Sequence, residues 1–287
     1  MTFWDKVKIN IKIIFNLWFK LVTVIFSLIG ALSIFITFDD LKITNLLDKV
    51  MILICIIAVC FIISFFSIVW LLKELKLWGN GKNKLLACYG DIFEEKKNRK
   101  KIVVIPVNDT FETIIDDSLD IKNPLVSLNT LHGLWITKML KNGLAEEEIE
   151  EKINNYLVQN QITGTEIIKE RGKNISYPVG TIVPFSYKDI TYYLLVISKF
   201  DSSNKAKSSK KEIRDSVDEL LEYYDENGQG YPMYIPLMGT GSSRTEMSHQ
   251  QAFRLLKSTI LTNEKHINGV MTIVVYNGDK DKVSIFK

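Results

Sequence analysis

The sequence predicts a two-helix membrane hairpin followed by an α/β domain with a mixed sheet. Three observations predict it. Two long apolar runs fill the first quarter of the chain. Beyond residue 85, β-branched runs alternate with amphipathic helical segments. Near the C-terminus, Tyr234–Arg244 (YIPLMGTGSSR) joins a short apolar run to a glycine turn and then to a helix-like segment.

The first apolar run, Leu21–Phe38, carries no charge and extends back to about Ile13 if Asn16 and Lys20 sit at an interface. The second, Val50–Leu72, is also uncharged. Each is long enough to cross about 30 Å of hydrocarbon as a helix. A signal peptide would need a small-residue cleavage site followed by polar sequence. Instead Phe38-Asp39-Asp40 and a second span follow, so the expected spans are 13–38 and 50–72 within a hairpin of residues 1–76. Lys6, Lys8, Lys12 and Lys20 precede the first span, and Lys73, Lys76, Lys82 and Lys84 follow the second. The positive-inside rule therefore places the N-terminus and the C-terminal domain in the cytoplasm, as a multi-pass membrane protein. Trp18, Trp70 and Trp78 suit the interfaces. Ser27, Ser33, Ser64 and Ser67 offer inter-helix hydrogen bonds, and Gly30 with Ala31 permits close approach. With no charge inside either span, the hairpin reads as an anchor or as part of a pore assembled by oligomerisation.

Residues 77–84 read as a linker, because Gly79–Lys84 (GNGKNK) is polar and glycine-rich. The domain proper then runs 85–287. Ile102–Val107 (IVVIPV) is a continuous β-branched run suited to a buried strand. Asn108 and Asp109 follow it directly, where ligands bind in open α/β sheets or where side chains merely cap the next segment. Phe111–Gly133 reads as irregular. Asp116-Asp117 reads as a solvated turn, and His132 either faces a ligand or packs. Leu134–Lys141, Ala145–Gln159, Ile213–Tyr224 and His249–Leu261 read as helices. Asn227-Gly228 is expected to end the third with left-handed residues. Tyr192–Ser198 and Val270–Tyr276 read as further buried strands, and Asp201–Lys210 (DSSNKAKSSK) as a polar, mobile loop.

The glycine turn admits two readings. Glycines let a backbone approach an anion closely, and a helix N-terminus presents unpaired N–H groups to it. Equally, Gly239 and Gly241 are what a turn needs wherever φ is positive. The net charge of +3 argues against a dedicated nucleic-acid binder. Three scattered cysteines and three scattered histidines give neither a disulfide framework nor metal-ligand spacing.

Taken in order, these segments resemble the macro domain family. Gly90-Asp91-Ile92 is similar to the family's Gly-Asp-Ile segment, and IVVIPVND to its first core strand. SLNTLHG resembles the return of its first ligand loop to a helix. YPVGTIVPF and YYLLVIS are similar to its next strands, and YIPLMGTGSS to its diphosphate loop. The resemblance implies a three-layer α/β/α sandwich that binds an ADP-ribose derivative and takes no cofactor or metal. It places Asp91 and Ile92 at the adenine, Asn108 and Asp109 near the distal ribose, and His132 at the end of the first loop. Gly239, Thr240, Gly241 and Ser242 would hold the diphosphate, with Ser243 and Arg244 adding to it.

Joined to a two-span hairpin, the pattern resembles the transmembrane–macro type of Thoeris antiphage effector. That resemblance implies a bacterial receptor for a nucleotide signal, histidine–ADP-ribose, made by a TIR-domain partner. Signal binding would rearrange a homo-oligomer, disrupt membrane lipid and kill the infected cell. The alternative is a membrane-anchored ADP-ribosyl hydrolase. Macro domains that hydrolyse ADP-ribose usually carry consecutive glycines in the first loop, whereas Phe111–His132 has none, so no catalytic residue is expected.

Overall fold

A computed structural model describes residues 3–38, 40–71, 74–94, 100–116, 123–241 and 245–286; within these, side chains are described except at 3–6, 8, 9, 70 and 71. The chain divides into two compact units, Met1–Leu75 with Phe286–Lys287, and Lys76–Ile285.

The first unit holds helix α1 (Phe3–Leu32) and helix α2 (Leu46–Phe66), the latter continuing through a π-helical turn at Ser67–Leu71. Their apolar stretches, Asn10–Leu32 and Leu46–Val69, are long enough to cross a membrane. Within the most apolar 18 residues of each, only 6% and 17% are buried, whereas the core helix of a soluble protein buries its apolar side chains. Two boundaries differ from the sequence expectation. The first helix stops at Leu32 rather than at 38, and Thr37 then binds the Asp40 carboxylate through both its backbone N–H and its hydroxyl (2.7 Å each). The second helix begins at Leu46 rather than Val50, because Asn45 caps it by accepting from the Leu47 N–H.

Between the helices, Ser64 donates to the Ile14 carbonyl (2.6 Å) and the Trp18 indole N–H to the Ile57 carbonyl (3.1 Å). Phe15, Trp18 and Phe61 meet one another edge-on or tilted, with ring centroids 5.6–6.0 Å apart. Ser27 and Ser33 instead bond within their own stretch of chain, to Thr23 and Gly30. A Cβ added at Gly30 would meet nothing within 4 Å, so the expected close approach there does not occur. Trp78 lies in a strand rather than at a helix end.

The second unit starts with a hairpin where a linker was expected. Strand β1 (Glu74–Asn80) and strand β2 (Asn83–Gly90) are joined by Gly81-Lys82, with Gly81 at φ +60°. A glycine in a left-handed turn between two strands has the same composition as a flexible linker. The chain then forms β3 (Lys101–Asn108), α3 (Leu131–Lys141), α4 (Glu146–Gln159), the short strands β4 (Thr165–Glu166) and β5 (Ile175–Ser176), and β6 (Ile182–Tyr187). It continues through β7 (Ile190–Phe200), β8 (Ala206–Lys207), α5 (Lys210–Asn227), β9 (Met233–Pro236), α6 (His249–Thr262) and β10 (Val270–Tyr276).

The main sheet runs β1-β2-β10-β9-β3-β7-β6, with β8 paired to β7. Strands β2, β10, β9, β3 and β7 are mutually parallel, and β6 is antiparallel to β7. Side chains alternate across this sheet. Val103, Ile105, Val107, Tyr192 and Leu194 pack with Trp135, Ile136 and Met139 of α3 and Ile149 and Ile153 of α4. On the opposite face Tyr193 meets Tyr223 of α5 edge-on (5.1 Å), and the Ser216 hydroxyl reaches the Val196 carbonyl. Helices on both faces of a mixed sheet make the expected three layers.

One helix end differs in mechanism. Gly228 after α5 is right-handed (φ −76°), and the positive φ angles fall on Gln229 and Gly230. A Cβ on Gly228 would lie 2.4 Å from the Tyr224 ring, so this glycine provides clearance rather than a left-handed cap.

Candidate functional site

The carboxyl ends of the five parallel strands open into one cavity of about 660 Å³. That volume suits a small-molecule ligand. Strand spacing orders its contents: Asp91 and Ile92 after β2, Tyr276 and Asp279 after β10, the glycine turn after β9, Asn108 at β3, and Phe200 to Ala206 after β7. Four intervals at about 4.8 Å give a span of roughly 19 Å.

At the first end, the Asp91 carboxylate accepts from the Phe93 N–H (2.9 Å), which fixes the turn and leaves Asp91 exposed at the cavity edge. Tyr276 sits beside it, in register with Gly90. His249, at the start of α6, lies 3.5 Å from Asp279. Burial lowers the His249 pKa, with Lys282 adding to this and Asp279 opposing it.

In the middle, Gly239, Thr240 and Gly241 line the cavity. Gly239 is left-handed (φ +84°), and a Cβ there would lie 2.7 Å from the Met247 methyl. Its carbonyl accepts from the Thr245 hydroxyl. Gly241 is neither left-handed nor crowded: an added Cβ meets nothing within 4 Å. Only Gly239, therefore, is needed for backbone conformation; Gly241 is bare toward open space. Ser248 then caps α6 in a reciprocal pair with Gln251. Ser242, Ser243 and Arg244 lie outside the described residues.

Asn108 and Asp109 part company. Asn108 lines the cavity, its amide N–H donating to the Leu125 carbonyl (3.3 Å) and its oxygen accepting from the Glu112 N–H (3.1 Å). Asp109 does not line it. Its carboxylate accepts from the Ser176 hydroxyl (2.6 Å) and the Phe200 N–H (3.1 Å), tying two loops together. Burial pushes its pKa up, against those two hydrogen bonds and Lys169. Consecutive residues at a strand end project to opposite sides, and the β3–β7 register shifts between Val107 and Asn108.

The first loop is stiffened rather than glycine-rich. Phe111, buried, is held left-handed at φ +47°. Next to it the Glu112 side chain is wholly enclosed, paired with Lys169 at 2.6 Å, and accepting from the Lys173 N–H (2.7 Å). Gly172 makes this possible: it is left-handed, and a Cβ on it would lie 2.3 Å from the Glu112 oxygen. The Lys169 ammonium also lies over the Phe200 ring (4.6 Å), which lines the cavity. Arg171 pairs with Asp116 and donates to the Asn123 carbonyl. Asp116 is thus an anchored residue rather than the solvated one expected; Asp117 lies outside the described residues. His132 closes the loop. It lines the cavity and stacks on Trp135 (6.3 Å), and burial together with Lys173 lowers its pKa to about 3, so it is neutral.

The site joins Asp91, Ile92, Asn108, His132, Gly239, Thr240 and Gly241, and leaves Asp109 outside. Sequence reasoning missed Tyr276, Asp279, His249, Phe200 and Lys205; the only signal for them was their place just after a strand or at a helix start. No cluster of metal-ligating side chains occurs among the described residues.

Residues 86–276 match the family model described as "Thoeris protein ThsA, Macro domain". The chain belongs to this family. It is 25% identical over 276 residues to Thoeris protein ThsA of Bacillus amyloliquefaciens (strain Y2), spanning 92% of this chain and 86% of that one. Among solved structures it is similar to a mutant of the Oceanobacillus iheyensis macrodomain (TM-score 0.48, 14% identity, 74% of this chain and 93% of that one). The same macrodomain with ADP gives a TM-score of 0.46 at 13% identity, covering 72% of this chain and 90% of that one.

Proposed function

We propose that this ThsA-family chain is an antiphage defence effector of bacteria whose cytoplasmic domain binds an ADP-ribose-derived signal. The observation that carries this reading is one cavity crossing five strand ends, with a glycine turn at its centre and an acid at one end. In it, Asp91 and Ile92 take the adenine, the turn from Gly239 holds the diphosphate, and Asn108 and His132 approach the distal ribose. Ser242, Ser243 and Arg244 complete the diphosphate contacts. The signal is a histidine conjugate of ADP-ribose supplied by a TIR-domain partner. The two apolar helices cross the inner membrane, with both chain ends cytoplasmic. Signal binding changes how copies of the chain assemble, and the clustered hairpins disrupt the lipid. A ligand shifts such an equilibrium only by its differential affinity for the two states.

Binding rather than turnover is supported by Asp109, whose carboxylate is committed to Ser176 and Phe200 and not to the cavity. The test is calorimetry of the full chain in detergent with ADP-ribose and its conjugates, alongside Gly241→Glu. That substitution enters open space, so the fold survives, and its carboxylate repels the diphosphate. A loss of about 100-fold or more in affinity is expected, together with loss of toxicity in infected cells. Binding of none of these nucleotides to the wild type overturns the reading. Turnover of an ADP-ribosylated substrate, lost on Asn108→Ala, would replace it with the anchored hydrolase.

A further inference from the structure

The charges lining the cavity are segregated. Among the described residues, its carboxylates are Asp91 and Asp279, both beyond β2 and β10, and its only lysine or arginine is Lys205, beyond β7. Those strands stand at opposite ends of the row. Lys205 is half-buried and no described carboxylate pairs with it. The acid of its own loop is taken: Asp201 pairs with the Lys207 ammonium (2.9 Å) and accepts from the backbone N–H groups of Ser203 and Lys205.

The loop is also rigidly built, contrary to its mobile-looking composition. It is the turn of the β7–β8 hairpin, closed by the Asp201 N–H to the Lys205 carbonyl (3.1 Å). Asn204 is buried and left-handed (φ +56°), and its amide faces the Arg171 N–H and carbonyl, pairing with both once its oxygen and nitrogen are exchanged. Asn123, from the first loop, donates to the Ser203 carbonyl (3.0 Å). The backbone at Lys205 is thus held in place at the end of the cavity past Asn108. A partly desolvated cation with no partner among the described residues favours an anionic group. His132, neutral, adds no second positive charge there.

We infer that Lys205 is a specificity-determining residue that reads an anionic group, a carboxylate, on the distal side of the ligand. This rests on the proposed ADP-ribose-type reading and extends it. The ligand lies with its amine-bearing ring at the Asp91–Asp279 end and its acid at Lys205. A ligand lacking the acid forgoes this ion pair, which is how the site prefers the acid-bearing conjugate over plain ADP-ribose.

The test uses the full chain in detergent and two probes: ADP-ribose carrying an amino acid on its distal ribose, and the same conjugate as its carboxamide. Calorimetry should show the acid bound about tenfold more tightly than the amide, a difference of about 1.4 kcal/mol. Lys205→Ala should bring the two together while changing affinity for ADP-ribose less than twofold; Lys205→Arg should restore the preference. Equal affinity of the wild type for acid and amide overturns the inference, as does a preference that survives Lys205→Ala. Equal losses for every nucleotide, ADP-ribose included, also overturn it, since that marks a general electrostatic effect. Failure of the wild type to bind ADP-ribose or either conjugate refutes the ADP-ribose reading itself, a distinct outcome.

Discussion

Two loops border the same cavity and are built on opposite principles. The turn after β9 is bare: Gly239 bends left-handed, Gly241 faces open space, and one hydroxyl, that of Thr245, holds the turn's carbonyl. The loop after β3 has no glycine between Phe111 and His132 and is backed by an enclosed ion pair, Glu112–Lys169, from a distant segment. The first principle exposes backbone, which suits an anion recognised by N–H groups. The second fixes side chains, which suits a group recognised by shape and hydrogen bonding. One cavity thus combines a bare glycine turn with a wall of fixed side chains.

The contrast is broken most strongly at Lys169. Lys169→Met leaves the Glu112 carboxylate enclosed without its partner, and a loss of about 3–5 kcal/mol is expected. Chemical denaturation followed by the fluorescence of buried Trp135 measures it. The double variant Glu112→Gln with Lys169→Met should recover most of the loss; a double variant as unstable as the single one would mean the pair is not what backs the loop.

On the glycine side the effects are smaller and divide between two neighbours. Gly239→Ala should cost about 1–2 kcal/mol, from its left-handed φ and the Met247 contact. Gly241→Ala should change stability by less than about 0.5 kcal/mol. Equal costs at both positions would contradict the division of labour in the turn.

His132 sharpens the comparison through pH. Its folded pKa of about 3 lies below the ordinary 6.5, so the folded state favours the neutral ring. The stability it contributes is present above about pH 6.5 and is lost as the pH falls toward 3, because the unfolded chain takes up the proton first. Between about pH 6.5 and 5.5 the loss is about 1 kcal/mol. His132→Gln should flatten that slope in a series of melts; an unchanged slope would place the titrating group elsewhere.

Much of this was legible in the chain. β3, β7 and β10 are apolar runs rich in β-branched residues, α3 to α6 carry helical periodicity, and the glycine turn stands between an apolar run and a capped helix. Other features were hidden for physical reasons. Asn108 and Asp109 are chemically alike and adjacent, and only the strand's alternation and register shift decide which faces the cavity. Gly79–Lys84 and Asp201–Lys207 are polar because they form tight turns between strands, and composition does not separate such turns from flexible segments. Glu112 and Lys169 stand 57 residues apart, and nothing local in the sequence announces that they meet.

The parallel row of strands has a consequence for how such a site changes over generations. Each strand end contributes its own short loop, and the loops at the two ends belong to chain segments far apart, at residue 91 and at residue 205. A substitution in the β7–β8 turn alters one end of the cavity while the glycine turn and the opposite end keep their geometry. On the proposed reading, the sheet separates recognition of a common nucleotide from recognition of its variable attachment. On that reading, drift in one hairpin is enough to retune such a site to a new attachment.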